Sequence, residues 1–425
     1  MSKIRIKNFG PIKKGYLVGD GWIDIKKVTV FIGNQGSGKS TIAKLISIFT
    51  WMEKALTRGD FDKKAFEKKD VFRKFCEYHK IENYIEDLNS NKRTEINYIG
   101  DSFSINYHER QLKFEYSLAD KYELPQIMYV PADRNFLSTV DDLKSQRIFS
   151  PSLVELLAEM QKATKQIKGK LKLPVNNVDL EYDKTQDILN IKGEDYDIRL
   201  AESSSGFQSL VPLYLVTWFL ANSVKRKSEN SHQPMSIDES ERFRKEFSDI
   251  YINQNLTEEQ KRIAISVLSS KFNKTAFINI VEEPEQNLFP TSQKQMLYSL
   301  LELNNLSEGN KLIITTHSPY LINYLSIAVQ GESLLRKIKS TKKSSINAAK
   351  FGLNDNPIDA LGKIIPIDAL ISSTDLVIYQ LNETDGTISK LSSFEGIPSD
   401  NNYLNKSLAD GNQIFDSLLA LEEEL

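Results

Sequence analysis

The stretch Gly33-Asn34-Gln35-Gly36-Ser37-Gly38-Lys39-Ser40 decides the reading of this chain. An apolar run, Val28 to Ile32, leads into it, and a helical pattern from Thr41 to Leu56 leads out. Strand, glycine-rich turn and helix in that order make a phosphate-binding loop. The three glycines let backbone N–H groups close around α- and β-phosphates, and the helix adds its positive dipole end. Gly33, Asn34, Gln35, Gly36, Ser37, Gly38, Lys39, Ser40 and Thr41 are therefore the expected ATP contacts. Lys39 would reach the β/γ oxygens and Ser40 would offer its hydroxyl to Mg²⁺.

Two further strands carry matching chemistry. Ile278-Asn279-Ile280-Val281 ends in Glu282-Glu283-Pro284-Glu285, a Walker B pattern. In such sites the first acid holds Mg²⁺ through water and the second takes a proton from the attacking water. Glu282 and Glu283 take these roles here, with Glu282 standing where Asp is more usual. The next apolar strand, Leu312 to Thr315, ends in Thr316-His317-Ser318-Pro319. A histidine at the carboxyl end of a buried parallel strand lies where open α/β sheets bind ligands, so His317 is placed to sense a γ-phosphate.

Glu202-Ser203-Ser204-Ser205-Gly206-Phe207-Gln208 precedes an apolar helix, Ser209 to Leu220. Alone, this reads equally as a flexible turn. After a phosphate loop and before Walker B and the switch histidine, it resembles the signature motif of ABC-type ATPases. The four motifs together resemble the ABC and SMC superfamily and set the chain apart from ring-forming AAA+ relatives, which lack the signature. The resemblance implies an ATP-sandwich dimer in which Ser204, Ser205, Gly206 and Gln208 touch the nucleotide of a second protomer, with ATP and Mg²⁺ as cofactors. It also implies catalytic roles for Glu283, His317 and Lys39. The usual Mg²⁺-coordinating Gln between the lobes has no clear counterpart: Gln126 starts its strand rather than ending it, which leaves Arg134 or Asn135 to face the nucleotide.

The expected fold class is α/β, an ABC-type ATPase head with a parallel or mixed sheet, a helical/β insertion and a small C-terminal α+β region. Residues 1–56 hold the first part of the core, 57–125 an inserted subdomain, 126–332 the rest of the core, and 333–425 a C-terminal region. Within 57–125, Phe61, Phe66, Phe72 and Phe75 recur at helical spacing and read as core. A polar stretch at 225–251 reads as a loop or partner surface. Pro151 to Ile167 reads as a helix capped by Ser150, and the last helix is expected from Asn412. Net charge is −2 with 40% hydrophobic residues, so nothing global announces a polyanionic partner. The lone Cys76 excludes an internal disulfide and suits a reducing cytoplasm. No apolar stretch is expected to reach the roughly 18 residues that span a bilayer.

Three classes compete. A transporter domain would be more compact. A RecF or SMC-like repair ATPase would grip DNA, and the basic runs Lys162 to Lys172 and Arg336 to Lys343 could meet phosphates, but no long heptad arm interrupts the chain. The set Tyr129 to Asn135, Ser204 to Gln208 and Glu282 to Glu285 resembles the compact ABC ATPases of bacterial anti-phage systems, related to OLD-family nucleases and most similar to the ATPase subunits of the PARIS defence family. That resemblance implies a homo-oligomeric scaffold that holds a separate toprim nuclease subunit and releases it on sensing a phage-encoded trigger protein.

Overall fold

The computed structural model describes residues 2–58, 60, 63–85, 93–116, 123–138, 150–229, 245–250, 275–340 and 356–423. Phe61, most of the polar stretch 225–251 and the basic tract beyond residue 340 lie outside them. The N-terminal strands are β1 (Lys3–Lys7), β2 (Gly15–Tyr16), β3 (Ile23–Asp24) and β4 (Val28–Gly33). Then come β5 (Glu95–Ile99), β6 (Phe103–His108), β7 (Gln111–Tyr116) and β8 (Pro125–Val130). A middle group, β9 (Lys170–Lys172), β10 (Asp179–Asp183), β11 (Ile188–Lys192) and β12 (Asp197–Arg199), precedes β13 (Ala276–Glu282), β14 (Lys311–Thr316), β15 (Leu376–Leu381) and β16 (Thr387–Lys390). The principal helices are α1 (Lys39–Arg58), α2 (Val71–Tyr78), α3 (Pro151–Thr164), α4 (Ser205–Glu229), α5 (Pro290–Asn304), α6 (Pro319–Ser340), α7 (Pro357–Ile364) and α8 (Tyr403–Glu423).

The main sheet has the order β2-β16-β15-β4-β14-β13-β8. Its five strands β15, β4, β14, β13 and β8 run parallel, which requires helical crossovers that cover both faces. Both faces are accordingly apolar with period two. Val28, Val30 and Ile32 of β4 enter one core with Met128, Val130, Leu312 and Ile314. Phe31 enters the other with Ile127, Tyr129, Ile280, Ile313 and Tyr379. The fold is thus α/β, built on a mixed sheet covered on both faces.

The strands within 57–125 pair onto β1, giving an antiparallel sheet β3-β1-β5-β6-β7. Phe66 and Phe72 are buried beneath it. Phe72 packs against Tyr107, with ring centroids 4.3 Å apart, and Cys76 is buried nearby. A separate antiparallel sheet, β12-β11-β10-β9, leads into α4. Ser150 caps α3 by accepting from the Leu153 N–H, with Pro151 at the first turn as its missing donor allows.

Two expectations are corrected. Residues Ser205–Val224 of α4 are long and apolar enough to cross a membrane by length and composition, and 61% of that window is buried. Its apolarity follows from packing: Leu210, Val211, Leu213, Leu215 and Val216 all lie in the core. The last helix begins at Tyr403 rather than Asn412, because it runs through Gly411 without breaking.

Candidate nucleotide site

The central strand β4 hands the chain to the phosphate loop. Gly33 has φ 152°, and a Cβ there would sit 2.5 Å from the Leu381 carbonyl oxygen of β15. No other residue fits so close an approach. Asn34 fixes the bend by accepting the Gln35 N–H at 2.8 Å and donating to Glu383 at 3.0 Å. That second bond holds Glu383 below the usual carboxylate range. The hairpin between β15 and β16 therefore touches the loop directly.

Lys39 opens α1 and is 5% exposed. Its ammonium donates to the carbonyls of Gly33 and Asn34 at 3.0 and 2.8 Å. Burial pulls it down to about 8, against the opposing pull of Glu283, Glu285, Glu383 and Glu282. The Ser37 hydroxyl is buried without a partner. A loop with an orphaned hydroxyl and an ammonium folded onto its own carbonyls suits an incoming anion. Ser40 and Thr41 follow on the first turn.

At the end of β13, Glu282 is buried and holds two donors: the Tyr129 hydroxyl on one oxygen and, at 3.1 Å, the Ala132 N–H on the other. Burial first, and the Glu282 charge second, raise the Tyr129 hydroxyl well above its ordinary value, so it stays a donor. Glu283 bends back with φ 44°, its N–H bonded to the Thr315 carbonyl at 2.8 Å. This left-handed turn aims the half-exposed carboxylate toward His317, whose Nε2 lies 3.6 Å from Glu283 Oε1. Burial and then the Lys39 charge lower the His317 imidazole, while Glu283 opposes them.

Two residues complete this corner without having been singled out from sequence for these roles. Glu285 accepts from the Thr316 hydroxyl and the His317 N–H, both at 2.7 Å, and so fixes the backbone of the histidine. Burial raises its carboxyl. Arg134 is fully buried. Its guanidinium donates to the carbonyls of Pro131, Glu282, Glu283 and Ser209 at 3.2, 2.7, 2.8 and 3.0 Å. One side chain thus pins β8, the Walker B turn and the start of α4.

Ser204 and Ser205 are exposed at the N-terminus of α4. The motif is braced from behind. Gln208 turns its amide inward onto the carbonyls of Ala201 and Ser203 at 2.9 and 3.0 Å. Pro212 lies inside α4 and has no N–H for the Gln208 carbonyl. The Ser138 hydroxyl supplies that bond at 2.8 Å. Asn287 donates to the Ser209 hydroxyl at 3.0 Å, and its carbonyl oxygen would sit 2.9 Å from a Cβ at Gly206. Lys39, Glu282, Glu283, Glu285, Glu383 and His317 cluster beside the phosphate loop.

For a divalent cation, the hydroxyl of Ser40 and the carboxylate of Glu282 would supply hard oxygen ligands of the kind Mg²⁺ takes beside phosphates. No cluster of three His, Cys, Asp or Glu fit to hold a metal alone exists among the described residues, so phosphate oxygens and water would complete the shell.

Solved structures similar to this chain include the SMC head domain from Thermotoga maritima, at 11% identity and TM-score 0.37, covering 92% of this chain and 98% of that one. A dimeric ATP-binding cassette in a post-hydrolysis state bound to ADP and Pi matches at 12% identity and TM-score 0.27, covering 93% and 100%. No curated protein matches. The family model described as an AAA ATPase domain, AAA_15, matches residues 57–322, a stretch that begins after the phosphate loop and contains the signature, Walker B and His317. That is more than half of the chain, which therefore belongs to this AAA ATPase domain family.

Proposed function

We propose that this chain is an ATP-hydrolysing switch that serves as the sensor and scaffold of a bacterial anti-phage system, holding a separate toprim nuclease and releasing it when a phage trigger protein binds. The ATPase half rests on the family match and on one local observation: Lys39, Glu283 and His317 converge at the carboxyl ends of adjacent parallel strands. Lys39 would give up its two backbone carbonyls for β/γ-phosphate oxygens. Glu283, held forward by its left-handed turn, is placed to take the proton of an attacking water, and His317 to steady the γ-phosphate. Bound Mg²⁺, held by Ser40 and Glu282, would neutralise charge developing between the β- and γ-phosphates.

Self-association is supported by the exposed Ser204 and Ser205 at the N-terminus of α4, an anion-binding feature open to a second copy. A second copy would bring its phosphates there, so ATP would close a two-fold dimer and hydrolysis would open it. The defence role rests on the motif resemblance.

The test is to purify Glu283→Gln, expressed in its native genomic setting, with ATP and Mg²⁺. Hydrolysis should fall by about 10²- to 10⁴-fold, as for loss of a general base, with ATP binding retained. A toprim-type protein should co-purify in stoichiometric amount. Co-purifying DNA with a repair nuclease would instead support an SMC-like genome-maintenance role.

A further inference from the structure

Helix α8 carries an apolar face that the described residues leave uncovered. From Lys406 to Glu422 every residue is exposed. Leu408, Ile414, Phe415, Leu418, Leu419 and Leu421 are exposed by 60, 64, 61, 60, 44 and 59%. So long an apolar stripe exceeds what the surface of a monomer ordinarily shows.

The stripe has coiled-coil spacing. Leu404, Leu408, Gly411, Phe415 and Leu418 follow at alternating steps of four and three, while Lys406, Asp410, Asp416 and Glu423 fall off the seam. Gly411 is the informative member. Glycine inside a helix disfavours it, yet a Cβ at Gly411 would meet nothing within 4 Å, so among the described residues packing gives no reason for it. The position leaves a notch open to a bulky group from outside.

We propose that α8 pairs antiparallel with α8 of a second copy of this chain. Antiparallel helices place each first-seam residue against a second-seam residue. Phe415 then fills the notch at the partner's Gly411, and Leu408 meets the partner's Leu418, each twice by two-fold symmetry. A parallel pair would stack Phe415 on Phe415 and leave a void between the two glycines, which close packing disfavours. It would also set the two Glu422 carboxylates side by side, whereas the antiparallel pair sets each near the partner's Lys406 end. The six exposed side chains on each copy would bury roughly 1,000 Å² in all, at the low end for a specific interface.

The helix is firmly rooted. Asn402 accepts the N–H groups of Leu404 and Asn405 at 3.1 and 3.0 Å, and the Tyr403 N–H reaches Gln380 on β15 at 2.9 Å. Since β15 neighbours β4, α8 springs from the strand beside the phosphate loop. A constitutive α8 pair would tether two nucleotide sites and raise their effective concentration for closure.

The test uses the full chain without nucleotide. Light scattering should give a two-chain mass. Gly411→Leu, which touches nothing in its own chain and favours helix, should weaken self-association at least tenfold with melting unchanged. Adding Phe415→Ala should restore it by exchanging large for small. Mixed preparations of Leu408→Cys and Leu418→Cys should cross-link on oxidation while neither does alone, Cys76 being buried. Wild-type association by Gly411→Leu, a one-chain mass for the native protein, or Leu408→Cys cross-linking to itself would overturn the proposal. ATP binding, measured separately, reports on the nucleotide site and not on this pair.

Discussion

Lys39 illustrates how a single buried charge sets a pH window. With its ammonium pulled down to about 8, the free protein loses that proton above this pH, while phosphates favour the protonated form. ATP affinity should therefore be flat below about pH 7 and fall towards tenfold per pH unit above about 8. Calorimetric titration between pH 6.5 and 9.5 checks this. Lys39→Arg, which keeps its charge, should lose the pH dependence even if its affinity is lower throughout. Arg134 acts by a different route. Its removal in Arg134→Ala leaves four carbonyls without their donor, including two in the Walker B turn, and should cost about 3–5 kcal/mol of stability. Arg134→Lys keeps the charge but loses the forked geometry. Its kcat should drop 10- to 100-fold with KM for ATP changed less than threefold, since the phosphate loop is untouched. Steady-state kinetics on folded Arg134→Lys decides it, and an unchanged kcat would leave Arg134 a purely structural residue.

At the scale of elements, motifs next to apolar strands were legible because the chemistry sits where the pattern stops: Val28–Gly33 before the loop, Ala276–Glu282 before the acids, Lys311–Thr316 before His317. The placement of Arg134 was not legible. Its acceptors are backbone carbonyls up to 149 positions away, and a carbonyl carries no residue identity. The start of α8 was misplaced for a related reason, since Ala409-Asp410-Gly411 reads locally as a helix break. The exposed N-terminus of α4 carries its own prediction. Ser205→Arg should leave ATP affinity of a single protomer within threefold but abolish ATP-dependent closure and turnover, because the new cation stands where a partner's phosphates would dock. Small-angle scattering with and without ATP would report it.

For the whole molecule, the parallel sheet separates two cores, each fed by alternate residues of the same five strands. Phe72 belongs to the second, packed on Phe49 and Tyr107 well away from the acids of the site. Phe72→Ala should lower stability by about 3–5 kcal/mol, lowering the melting temperature by several degrees, yet leave ATP affinity unchanged. Differential scanning calorimetry beside a binding titration makes the comparison.

The neighbours of the central strand also dictate a timetable. Strand β4 is complete by Gly33, but the strands that flank it are residues 311–316 and 376–381. On a ribosome emitting about 5–20 residues per second, β4 waits tens of seconds with both edges unpaired, and the carbonyl of Leu381 that shapes Gly33 arrives later still. A nascent chain arrested shortly before β15 would carry every nucleotide motif and still lack one wall of the loop. ATP can therefore take hold only after β15 has emerged, which keeps copies cut short before it out of any nucleotide-driven assembly.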